Sequence, residues 1–156
     1  VSTQGQTIEE ANDWMALEPR LVELARAAVA GLKPAVHVLT HADLAAVAET
    51  AQQTPAIHVI YGGYRIAEDQ ATAWRLAHTW YVVAAVRNVA AISSGQPARL
   101  SAGSLLARVT GCLVAQKLEG ATKPLALVSP PAAQYRAGFQ YIPSAFEVET
   151  IFRKPL

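Results

Sequence analysis

Apolar and polar positions along the chain follow two different periods. Leu21, Leu24, Ala25, Ala28, Val29 and Leu32 recur at intervals of three and four, which puts them on one stripe of a helix. Pro19 suits the first turn of that helix, and Gly31 and Pro34 suit its end. A second helical pattern, Leu105, Leu106, Val109, Cys112, Leu113 and Gln116, predicts a helix over residues 100–118, with Gly120 as its stop. Thr7 and Glu10 have the spacing of a capping box, which predicts a short helix through residue 17. Residues 42–53 carry helix formers and read as a short helix or turn.

The other segments alternate with a period of two or run apolar, as strands do. They predict strands over residues 36–40, 56–61, 74–87 and 124–128, and in the closing run FQYIPSAFEVETIF. Gly62 and Gly63 predict a break or bulge, with the strand resuming over residues 64–67. In the strand 74–87, Trp74, Leu76, His78, Trp80, Val82, Ala84 and Val86 share one face. Arg75, Thr79, Tyr81, Val83 and Arg87 share the other. Pro143 predicts either two short strands or one strand interrupted there. The order of elements predicts an α+β fold, a mainly antiparallel sheet with helices packed on one side. Residues 1–18 read as an arm and short helix, and residues 19–156 as a single domain.

Composition adds a hint of assembly. Only 16% of the residues are charged, against about 25% in an average soluble domain. A subunit that hides much of its surface in a larger particle has this balance. The net charge of +1 gives no global positive field for nucleic acid. One cysteine, Cys112, excludes an intrachain disulfide framework, and its apolar helical setting predicts a small core residue. The first residues do not have the pattern of a secretion signal. The longest apolar run, residues 80–86, is far short of the about 20 residues that span a bilayer. The expectation is a soluble protein made in a cytoplasm.

Glu147 and Glu149 are the sharpest chemical candidates. On a strand they share a face with Ile151 and stand about 7 Å apart, a separation that paired catalytic carboxylates can have. Residues i and i+2 of one strand more commonly mark a solvent or interface face. His37 and His41 would stand about 13 Å apart on a strand, too far for one metal. His58 and His78 lie among apolar residues, where a satisfied core histidine is the ordinary reading. No phosphate-loop or nucleophile-elbow motif is present, and Ser101 and Ser104 read as helix caps. Nothing calls for a cofactor or a metal. The arginines, Arg65, Arg75, Arg87, Arg99, Arg108 and Arg136, are scattered. Tyr135, Phe139, Tyr141 and Phe146 cluster in sequence beside Arg136, as an interface anchor or as part of a sheet face.

The segments IHVIYGGYRI, WYVVAAVRN and YRAGFQYIPSAFEVE, with LLARV and PLALVSPP between them, resemble the tail terminator proteins of tailed bacteriophages, especially those of Mu-like phages and prophages. The resemblance covers residues 19–152 and implies a lambda-type terminator fold with no catalytic motif. It implies a structural virion protein, not an enzyme, that forms a homo-hexameric ring on the head-proximal end of the tail tube. The ring would stop tube growth and join the tail to the head-side connector. Partners would be further copies, the tube protein and the connector, with DNA only passing through the lumen and no membrane. Synthesis would be in the bacterial cytoplasm. Candidate interface residues on this reading are Arg65, Arg87, Tyr135, Arg136, Phe139, Tyr141, Glu147 and Glu149. The rivals are a neck or head–tail completion protein on the connector side, a small hydrolase built on His58 or His78 and the two glutamates, and a nucleic-acid-binding module.

Overall fold

The computed structural model describes residues 12–41, 54–87, 96–136 and 138–155. Within them the chain runs α1 (Glu18–Val29), β1 (His37–His41), β2 (Ala56–Asp69), β3 (Ala73–Arg87), α2 (Gln96–Leu113), β4 (Ala126–Val128), β5 (Gln134–Arg136) and β6 (Phe139–Arg153). The strands form one sheet in the order β1-β2-β3-β6-β4, with β5 also paired to β6. Only the β1–β2 pairing is parallel. This is the mainly antiparallel α+β architecture that the pattern predicts.

Both helices lie on one side of the sheet, as expected. Leu21, Ala25 and Val29 of α1 and Leu105, Val109 and Leu113 of α2 join Ile57, Val59, Trp80, Val82, Phe146 and Val148 in one buried cluster. A hydrogen bond from Arg108 Nε to the Ala28 carbonyl, 2.7 Å, ties α2 to the end of α1. There the orphan carbonyls of a helix favour a cation. The opposite sheet face holds a smaller cluster, Ala56, Ile60, Val83, Ala85 and Tyr141.

Several boundaries differ from expectation. Residues 12–17 form turns rather than the end of a helix; the Thr7–Glu10 capping box and the helix at 42–53 lie outside the described residues. α2 starts earlier and stops at Leu113, so Ser101 and Ser104 sit inside it rather than at its start. It stops because Ala115 takes a left-handed φ of 65°. Ala115 N–H then donates to the Leu125 carbonyl, and Leu125 N–H donates to Gln116. Gly120, also left-handed, shapes the following turn. Cys112 is exposed, not a core residue: the buried stripe of α2 is centred on Ala102, Leu105, Val109 and Leu113, and Cys112 falls on its margin. β6 is one continuous strand through Pro143. On its outer side β5 pairs only as far as Tyr141 and β4 starts at Ala145. No strand there needs a donor from residue 143.

Candidate functional site

The Gly62-Gly63 bulge decides what each sheet face carries. Tyr61 pairs with Trp80, but Tyr64 pairs with His78, so β2 spends one extra residue there. Gly63 has φ +102°, and a Cβ on Gly62 would lie 2.7 Å from the Tyr81 ring. Only glycine accepts the first conformation freely, and little else fits the second. The extra residue reverses the alternation, turning Tyr64 and Ile66 to the helix side and Arg65 to the open side. A second shift, between Ile66 and Glu68, turns Glu68 to the open side as well.

The open face therefore gains a lattice of opposite charges over its lower half. Arg65 Nη2 lies 3.0 Å from Glu147 Oε1. Arg75 lies 3.0 Å from Glu68 and, through Nε, 2.8 Å from Glu149. Lys123 reaches the other Glu149 oxygen at 3.3 Å, and Thr122 hydrogen-bonds the Glu149 main chain and carboxylate. Glu149 is the innermost of these groups, its side chain 12% exposed. The two glutamates share a face as alternation predicts, but each is matched to a cation.

On the helix side, directly behind this lattice, lies a cluster that sequence reasoning missed. The His78 ring bridges two hydroxyls, with Nδ1 2.7 Å from Tyr61 and Nε2 2.9 Å from Thr150. Trp14 packs edge-on against Tyr64, His78 and Phe152 at 5.3, 6.3 and 4.9 Å. Asn12 clamps the end of β6, its amide donating to the Arg153 carbonyl and accepting from the Arg153 N–H. Burial lowers the His78 pKa, because desolvation disfavours the imidazolium. Burial, with Tyr64 beside it, pushes the Tyr61 phenol up to about 12. The signal in the sequence is Trp14, ahead of α1; a break or bulge at Gly62-Gly63 leaves the side of Tyr64 unassigned.

The hydrolase constellation is not assembled. His78 lies across the sheet from both glutamates. His58 shares their face but pairs with Val83 in the apolar half, and is fully buried. Among the described residues no group of histidine, cysteine and carboxylate side chains could hold a metal.

The structure also divides the expected aromatic cluster. Phe146 is buried on the helix side. Tyr141, with Phe139 packed against it, belongs to the open-side apolar cluster. Tyr135 is 58% exposed on β5 and its hydroxyl accepts from Gln140 Nε2 at 2.7 Å. Arg87 is exposed at the upper end of β3, opposite Phe139, far along the sheet from Arg65. Arg136 lies in β5, also opposite Phe139; its side chain lies outside the description. The eight candidates thus form two groups, Arg65, Glu147 and Glu149 below and the other five above. Among the described residues no helix is long and apolar enough to cross a membrane.

No curated protein matches this sequence. A family profile does: that of the phage tail terminator proteins, over residues 11–155.

Proposed function

The chain belongs to the phage tail terminator protein family, a structural part of the bacteriophage tail, and from that premise we propose that it closes the tail tube. Six copies form a ring on the head-proximal end of the tube, stop its polymerisation and present a surface to the head-side connector. Residues 19–156 act as the single domain of each subunit, and residues 1–18 as its arm. DNA passes through the lumen without being bound. The protein performs no chemistry, and the interface residues are drawn from the two groups, Arg65, Glu147 and Glu149 in one and Arg87, Tyr135, Arg136, Phe139 and Tyr141 in the other.

Family membership carries this reading, and the electrostatics of Glu147 and Glu149 support it. A catalytic pair needs one carboxyl held protonated and one free to react. Here Arg65, Arg75 and Lys123 each hold a carboxylate oxygen, so neither carboxylate is free to react. Such a matched lattice stiffens a sheet face and leaves little net charge, as suits a surface beside DNA or a neighbouring subunit.

The test is tube length. Tube subunits from the same phage are polymerised with and without the protein and the lengths measured by negative-stain microscopy. Shortened tubes are expected. Unchanged lengths with folded protein present would contradict termination, and binding to the connector alone would favour the neck-protein reading.

A further inference from the structure

Two apolar patches remain open on opposite flanks of the sheet, both on the helix side. The first is a knob. Beyond Ile60, where pairing with β1 stops, the outer edge of β2 has no strand partner among the described residues. This stretch carries Tyr64 and Ile66, 52% and 55% exposed. Both point to the helix side because of the glycine bulge. Trp14 packs edge-on against Tyr64, so the knob is held in place before any partner arrives.

The second patch is a groove between α2 and β4. Gly103, Leu106, Ala107 and Thr110 form one wall, and Leu127 and Pro130 the other. Its volume is about 330 Å³, roughly eleven water volumes, room for an aromatic and a branched side chain. None of its lining residues is ionisable. Leu127 on its rim is 55% exposed.

We propose that the Tyr64–Ile66 knob of one copy seats in the α2–β4 groove of the next copy. This rests on the ring reading above and names the contact that would build the ring. Three features select a second copy as occupant. Knob and groove are both apolar and uncharged, the one exposed and the other concave. They lie on different strands of one sheet, β2 and β4, three strand spacings or about 14 Å apart. A contact between two different patches is the heterologous kind that closes a ring, whereas a two-fold dimer would bring each patch against itself. The sheet is also protected from the competing contact, edge-to-edge pairing through β6. Thr122 N–H, the Ala121–Thr150 bridge and the Asn12 clamp occupy its outer edge.

The test is cross-linking during tube capping. In a Cys112→Ser background, Ile66→Cys and Leu127→Cys are combined, and the protein is oxidised with polymerising tube subunits. A ladder of disulfide-linked copies is expected from the double variant, and no ladder beyond dimer from either single variant. Within one chain the two positions are too far apart to bridge. Gly103→Leu is the second variant: a Cβ there meets nothing within 4 Å, so the fold keeps its melting temperature while the filled groove weakens self-association at least tenfold. Rings at tube ends without a ladder, and with Gly103→Leu assembling normally, would overturn this contact and leave the ring standing. Absence of any ring would overturn both.

Discussion

Val148 and Glu149 are neighbours on β6, yet they meet opposite surroundings. Val148 points into the core under the helices. Glu149 points to the open face, between Arg75 and Lys123. The same contrast runs across the lower sheet. On the helix side a histidine is held between two hydroxyls, and a charged pair, Lys154 and Asp69, stands at the strand ends beside Trp74. On the open side the polar groups are charged and matched. Stability therefore comes mainly from the helix-side face, and the other carries the matched charges.

The largest test of that contrast is Trp80→Ala. Trp80 lies fully within the helix-side core, and removing such a side chain costs about 3–5 kcal/mol. A urea melt should show that loss, whereas an effect within about 1 kcal/mol would mean that the helix side does not hold the fold. Gly63→Ala attacks the device that sorts the faces. A side chain at φ +102° should cost about 1–3 kcal/mol, read by the same melt, and should loosen both Trp14–Tyr64 and Arg65–Glu147.

Arg75→Ala and Arg65→Ala separate the deep and shallow parts of the charged lattice. Arg75 supports Glu149, the more buried carboxylate, and its loss should cost about 1–3 kcal/mol. Arg65 is 63% exposed, so its loss should cost no more than about 1 kcal/mol. Equal costs would show that burial does not grade this lattice.

The pH dependence distinguishes the faces once more. His78 has a folded pKa below its unfolded value of 6.5. Its contribution is therefore complete above about pH 6.5 and is lost as the pH falls from there toward the folded value, because the unfolded chain binds the proton first. Thermal melts between pH 8 and 5 should decline less steeply for His78→Gln than for the parent. Identical slopes would remove His78 from the buried cluster.

Much of the sheet was legible in the sequence, because period-two alternation in residues 74–87 and 146–152 survives unbroken in β3 and β6. The paired placement of Glu147 and Glu149 followed from it. Their cations did not. Two one-residue bulges in β2 reverse the alternation, and no local pattern tells how many residues a glycine pair will consume. The end of α2 was missed for a related reason: helix formers continue past Leu113, and tertiary hydrogen bonds to Leu125 decide the stop. The split of Tyr135, Phe139, Tyr141 and Phe146 between strands and faces depends on how β5 and β6 pair, which closeness in sequence does not reveal.

The central claim is that this chain terminates a tail tube, and cryo-electron microscopy of tubes assembled in its presence tests it most directly. Averaged images of tube ends should show a six-fold ring of this protein at one end only, with the opposite end bare. Bare ends throughout, or density spread along the tube wall, would contradict the account.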